Sequence, residues 1–304
     1  MPFKKIRSDL SILTSHPQFR KRPLTIIIRM IRWMYHLLLQ KPAKARFYRW
    51  GFDLWFPAKR RGGSTAPFLF RAYYEPELVF LEQIVDKGMI IVDGGANTGI
   101  FAFAAATLTG PTGEVWAYEP GEEYYEAMLK SNELNPHPQI KFRKEALAEK
   151  SGTIRFYHHL NRENAFGIGV EGTEYESAYD ELEGVALDDV LERVDIIKLD
   201  IVGAEELALR GSTRLLSESQ PVVLFEVDPL STDRLGLDRL GVVKLLESYG
   251  YQFYQLDDDY WLHRMHDCTD VRHVVALPDG YNLSRLKIGE EVKDSNAVQR
   301  FGHY

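Results

Sequence analysis

At 304 residues, with 45% apolar and 27% charged side chains, the chain is long enough for one large α/β domain with additions or for two small ones, and its composition is that of a soluble globular protein. A single cysteine, Cys268, excludes an internal disulfide framework and a cysteine-held zinc or iron–sulfur centre, and makes the reducing cytoplasm the expected compartment. The net charge of −7 hides an asymmetry: residues 1–61 carry fifteen Lys and Arg against Asp9 and Asp53 (+13), whereas the remainder carries 22 against 42 (−20).

The basic extension, residues 1–67, comes first. A basic arm suits an anionic partner for the arm alone, a membrane surface or nucleic acid, but the acidic body opposes a phosphate backbone, so no nucleic acid is expected. Within it, residues 24–40 place Thr25, Arg29, Arg32, His36 and Gln40 at spacings of four, three, four and four, which is one polar stripe on an otherwise apolar helix. Two internal arginines make this helix too short and too charged to span a bilayer, which takes ~20 apolar residues. Its wide apolar face demands burial, either in a membrane interface, with residues 1–40 meeting an anionic surface, or against the body or a dimer partner. Phe47 to Phe70 mixes aromatics with Gly and Pro around Lys59-Arg60-Arg61 and reads as a linker or hairpin.

The main domain, 68–278, opens with a helix over Glu77 to Asp86. Met89 to Val92 is a short β-branched run between glycines, the signature of a fully buried central strand. Asp93 ends it, and Gly94, Gly95 and Gly99 form a strand-to-helix turn before the Ala-rich helix Ile100 to Leu108. Further strands are predicted at Glu114 to Tyr118, Ile140 to Phe142, Thr153 to Tyr157, Asp195 to Leu199 and Pro221 to Val227. Helices over Glu122 to Leu134, Gly203 to Leu216 and Arg239 to Tyr249 alternate with them. Tyr251 to Leu256, Tyr260 to His263 and Val271 to Leu277 follow without helices, so an antiparallel finish is expected. This alternation predicts an α/β, doubly wound, mostly parallel, Rossmann-like sheet. Asp93, Glu119, Glu145, Asp200 and Glu226 fall at the carboxyl ends of its strands, where such sheets bind ligands. His158 to Gly184 is polar and long for a connection and reads as a lid or substrate loop, and 279–304 as a loosely held tail.

A glycine turn with an acid at the next strand end suits a nucleoside ligand, whose polar part the turn's amides would meet and whose ribose hydroxyls Glu119 would accept. Asp93 immediately before the glycines would repel a pyrophosphate but suits an ammonium and a sulfonium, which points to S-adenosylmethionine. Methyl transfer to a hydroxyl gains from a base, and the candidates are Asp200, Glu205, Glu226 and His158. Asp200 leads because it ends a central strand, whereas Glu205, in the first turn of a helix, equally answers the helix dipole. A divalent metal on Asp200 would find further oxygen ligands only in Glu226 and Asp228, and none is expected. Tyr73, Tyr74, Phe101 and Trp116 could stack on adenine or face the sulfonium, or fill the core.

From Tyr74 to Pro278 a series of motifs runs in order: Tyr74-Glu75-Pro76-Glu77, Val92-Asp93-Gly94-Gly95-Ala96-Asn97-Thr98-Gly99, Tyr118-Glu119-Pro120, Ala146-Leu147, Leu187-Asp188-Asp189-Val190, Ile197-Lys198-Leu199-Asp200-Ile201-Val202-Gly203-Ala204-Glu205, Leu209-Arg210-Gly211 and Pro221 to Glu226. The series resembles the FkbM-type S-adenosylmethionine-dependent methyltransferases. The resemblance implies a class I methyltransferase fold in which Asp93, Gly94, Gly95, Ala96, Asn97, Thr98 and Gly99 hold the amino-acid end of the cofactor. It further implies Glu119 at the ribose, Glu145 and Ala146 at the adenine, and Asp200 beside the methionine moiety or the acceptor. The family usually has Glu where this chain has Val202. The expected activity is O-methylation of a hydroxyl on a sugar, glycolipid or secondary metabolite. The same turn could serve an NAD-dependent oxidoreductase, against which Asp93 and the antiparallel finish argue, and Val202 motivates a third reading, a cofactor-binding module without turnover.

Overall fold

The computed structural model describes residue 14 and residues 16–59, 63–158, 166–168, 179–268 and 271–290. Two helices, α1 (Pro17–Lys21) and α2 (Pro23–Leu39), lead into an antiparallel hairpin, β1 (Ala43–Phe47) and β2 (Phe52–Phe56). Alternation buries Ala43, Ala45, Phe47, Phe52, Leu54 and Phe56, and these join the core of the body rather than a separate one. Helix α3 (Thr65–Phe70), a 3₁₀ turn over Arg71–Tyr73 and helix α4 (Pro76–Ile84) complete the approach to the sheet.

The alternation then appears as predicted. Strand β3 (Ile90–Gly94), helix α5 (Ile100–Thr109), β4 (Glu114–Tyr118), α6 (Glu122–Leu134) and β5 (Ile140–Arg143) build one half of the sheet. Strands β6 (Ala146–Leu147), β7 (Gly152–His158), β8 (Phe166–Ile168) and β9 (Tyr179–Val185) form a second sheet in the order β6-β9-β7-β8. Helix α7 (Leu187–Val190), β10 (Ile196–Leu199), α8 (Glu205–Arg210), α9 (Thr213–Glu218), β11 (Val222–Glu226), α10 (Pro229–Arg234), α11 (Gly241–Ser248), β12 (Tyr251–Leu256), β13 (Leu262–Met265) and β14 (His273–Pro278) follow. The main sheet has the order β13-β12-β14-β11-β10-β3-β4-β5. Strands β11, β10, β3, β4 and β5 are parallel, and β14, β12 and β13 add antiparallel pairs. The chain winds outward from β3 to β5 and returns on the other side of β3 as β10, so the winding reverses between β3 and β10. A crevice opens at such a switch point.

Four local expectations change. The single helix expected over Gly203 to Leu216 is two, α8 and α9, broken at Gly211 and Ser212. Gly211 lies so close to the Ala148 carbonyl that a Cβ would come within 2.2 Å of it, which fixes the break. The strand expected at Tyr260 to His263 begins later, because the Asp257 carboxylate accepts from the Asp259 and Trp261 amides and Tyr260 turns with φ 66°. The expected loop His158 to Gly184 contributes β8 and β9, with 159–165 and 169–178 outside the described residues. The tail is tied down as far as 290 by the buried Leu286 and a bridge from Ile288 to Leu262.

Candidate active site

Strand register sets the first contact. Asp93 on β3 pairs with Lys198 on β10, which turns both side chains to one face. The Lys198 ammonium stands 3.4 Å from Asp93 Oδ1 and 3.6 Å from Asp200 Oδ2, bridging two acids that the sequence separates by more than a hundred residues. Burial works against the Lys198 charge, but Asp93, Asp200 and Glu75 hold it well above the ordinary lysine range. Asp93 is itself wholly buried, and desolvation pushes its carboxyl up against the pull of Lys198.

The glycine turn differs from expectation in one respect. Its amides do not face a ligand: Gly95 and Ala96 both donate to the Tyr118 carbonyl at 3.0 and 2.9 Å, Asn97 to Glu119 Oε2 at 2.8 Å, and Thr98 to Asn97 Oδ1 at 2.8 Å. What the turn offers is a close approach of backbone to backbone. At Gly95, with φ 75°, an added Cβ would meet the Asp200 carbonyl oxygen at 2.0 Å, so only glycine lets the two strand ends approach. Glu119 also accepts from Gly121 N–H, at 2.8 Å on Oε1, and burial still pushes its carboxyl up to about 7.

A cleft with about 870 Å³ of empty space, open to solvent, runs from this turn over the ends of β4 and β10. Gly95, Asn97, Glu119, Glu145, Ala146 and Asp200 line it, as do Tyr118, Tyr124, Ile201 and Val202. Glu145 is held by both arms of Arg143 at 2.7 Å, so that its carboxylate is already paired. Asp93, Gly94 and Gly99 are not on the wall of this cleft.

A second cleft abuts the first at Gly95, Asn97 and Asp200. Ala96, Thr98, Tyr74 and Phe101 line it, together with Glu75, Lys198, Glu226, Arg272 and His273. Arg272 Nε donates to Glu226 Oε1 at 2.5 Å, and His273 Nδ1 lies 3.7 Å from Glu77 Oε1. Asp200 and Glu226 share a hydrogen bond and split apart. Burial would raise Asp200, yet Lys198, Glu226, His273 and Arg272 keep its carboxyl low; burial and the Asp200 charge keep Glu226 high. Burial likewise raises Glu75.

Other candidates fall elsewhere. Glu205 lines neither cleft; its Oε1 accepts from Ile201 N at 3.0 Å and Gly203 N at 3.3 Å, and burial pushes its carboxyl up to about 8. Between those amides Val202 is held at φ 56°, a costly conformation for a β-branched residue. Asp228 caps α10 by accepting from Leu230 and Ser231 amides, and among the described residues no three His, Cys, Asp or Glu gather to hold a metal. The side chain of His158 lies outside the described residues. Tyr73 sits under Arg49 and Trp116 under Arg143, while Tyr124, not singled out from sequence, is the aromatic beside Glu119. Sequence reasoning also passed over Lys198, Glu75, Arg272 and His273. For Lys198 a signal exists, a cation in an otherwise apolar buried strand.

The fold is that of a class I methyltransferase, with a crevice at the switch point and Glu119 and Asp200, which follow β4 and β10, on its wall. The sequence model of the Methyltransferase FkbM domain matches residues 93–253, and the chain belongs to that family. No curated protein sequence matches it. Among solved structures it is similar to a methyltransferase FkbM from Methylobacillus flagellatus (19% identity, TM-score 0.43, 70% of this chain), of which it spans about half, 53%. It is also similar to an S-adenosylmethionine-dependent O-methyltransferase from Thermotoga maritima (12%, TM-score 0.37, 67% of this chain and 64% of that one). A third likeness is to Aeropyrum pernix fibrillarin with natively bound S-adenosylmethionine (14%, TM-score 0.37, 68% and 75%). The cofactor is S-adenosylmethionine. The residues fit it: Glu119, on the wall of the open cleft, has each oxygen taking one amide and keeps lone pairs for two hydroxyls.

Proposed function

We propose that this protein is an O-methyltransferase that binds its acceptor hydroxyl in the second cleft, on a sugar, glycolipid or other small metabolite. The observation that carries the reading is the meeting of the two clefts at Asp200, the one acid common to both. When bound, S-adenosylmethionine supplies an electrophilic methyl on a sulfonium, which leaves the protein to align the acceptor, exclude water and take a proton. Glu119 holds the ribose, Ala146 and Leu147 border the adenine, and Gly95 and Asn97 border the junction. Asp200, kept ionised by Lys198, accepts the acceptor's hydroxyl hydrogen bond and takes its proton, which the hydrogen bond to Glu226 then shares. Glu205 is a positioning residue that shapes residues 201–203. Polar groups such as Arg272, His273 and Glu75 suit an acceptor with several hydroxyls.

Calorimetry with S-adenosylhomocysteine tests the first half, with binding expected and absence of heat overturning it. Transfer of a labelled methyl into cell extract, read by mass spectrometry, tests the second. Label on an ether oxygen is expected, and label on nitrogen or carbon overturns the proposal.

A further inference from the structure

Helix α2 packs on the body through one apolar edge, Ile26 and Trp33 with the partly buried Met30 and Leu37. Beside that edge Arg29 Nη1 donates to Leu69 O at 2.7 Å and Arg32 Nη2 to Lys44 O at 3.0 Å. A second apolar stripe is left outside, with Leu24 75%, Ile28 66%, Ile31 64% and Leu38 79% exposed. A helix that has buried one apolar edge on its own protein ordinarily turns polar residues outward on the other side.

Beside the N-terminal half of α2 lies an open cavity of about 800 Å³ that holds five arginines. Two are paired, Arg46 with Asp53 at 3.2 Å and Arg49 with both oxygens of Glu82 at 2.6 Å. Arg22, Arg29 and Arg71 pair with no carboxylate among the described residues. Arg71 is 7% exposed, its Nη1 has no hydrogen-bond partner, and its backbone is held at φ 61°. Its guanidinium lies 4.2 Å from the Phe68 ring centroid. Burial, with Arg29 and Arg32 nearby, pushes Arg71 down to about 9, the signature of cations gathered without an anion. A buried, uncompensated charge on a strained backbone is costly to keep for structure alone.

We propose that the pocket of Arg22, Arg29 and Arg71 binds the phosphate of an anionic lipid headgroup, whose acyl chains lie along the outward stripe from Leu24 to Leu38. Guanidinium forks match phosphate oxygens, and Arg71 brings an unspent donor. An interfacial helix sinks to the boundary of headgroups and chains, which brings phosphates level with its flanks, where Arg22 and Arg29 stand. The stripe also explains why one ligand is lipid rather than free phosphate, since it covers an apolar face that a soluble ion would leave in water. The site is separate from both clefts and independent of the methyl-transfer reading.

The test is sedimentation of the full chain with vesicles of phosphatidylcholine, alone or mixed with phosphatidylglycerol. Binding is expected to the mixed vesicles, with a fall of about tenfold or more in partitioning for R71Q and for R29Q. I31D, on the exposed stripe, is expected to abolish it. Thermal unfolding checks that each variant folds, and R29Q, on a half-buried side chain, carries the test should R71Q fail to fold. Equal partitioning of wild type and R29Q overturns the proposal, as does a failure to bind mixed vesicles. Inorganic phosphate that raises the unfolding temperature of wild type but not of R71Q, without vesicle binding, assigns the pocket to a soluble phosphate and overturns the lipid.

Discussion

The two clefts that meet at Asp200 are built on opposite principles. In the first cleft the turn is satisfied before any ligand arrives: four successive amides are spent internally, Glu145 is clamped by Arg143, and Glu119 is the acid left with capacity. In the second cleft, proposed for the acceptor, Glu75, Lys198, Asp200, Glu226, Arg272 and His273 crowd together, and several carboxyls are driven from their ordinary range. Preorganised shape suits a ligand that is always the same, whereas a cluster of opposed charges is poised to move a proton.

The contrast breaks most sharply at Asp200. D200N is expected to lower kcat by ~10²–10⁴-fold, while S-adenosylhomocysteine binding, read by calorimetry, stays nearly unchanged; equal losses in both would assign Asp200 to the donor side. Next comes E119Q. Each Glu119 oxygen accepts a different amide, so the amide nitrogen of a glutamine would face one of those donors. S-adenosylhomocysteine affinity should weaken ~10–100-fold and the acceptor KM should not change.

Glu205 sharpens the comparison through pH. Its carboxyl rises from 4.5 to about 8 on folding, so the folded chain holds the proton more tightly and stability falls as pH climbs from 4.5 through 8. E205Q keeps an oxygen for the Ile201 and Gly203 amides but cannot ionise. Its melting temperature should match wild type near pH 4.5 and exceed it by ~5 °C at pH 8. The smallest effect belongs to Val202. V202G relieves ~1–2 kcal/mol of left-handed strain and forfeits ~0.5–1 kcal/mol of chain entropy, so denaturant unfolding should show a gain of about 1 kcal/mol.

Legibility in the sequence followed the same divide. Gly95, Asn97, Glu119, Glu145, Ala146 and Asp200 were all singled out beforehand and all line the first cleft. They are strand ends or turn residues, and their meaning is local. Arg272 and His273 stand in a strand like any other until β14 is laid antiparallel against β11, which sets His273 opposite Glu226. Glu205 stayed open in the sequence for a related reason: an acid in a first helical turn looks the same whether it faces a cleft or folds back on the preceding amides.

From the sequence alone came the alternation of strands and helices in the main sheet and the glycine turn after its central strand. Hydrophobic period and glycine placement act over a few residues, so the chain carries them without tertiary help. Tertiary structure decided the rest. Periodicity drew the polar stripe of α2 but not which part of its wide apolar surface the body would take, because that depends on what Ile26, Met30, Trp33 and Leu37 meet in space. Only the parallel register of β3 and β10 could bring Lys198 between Asp93 and Asp200, since charge pairing in a buried sheet is set by neighbours in space.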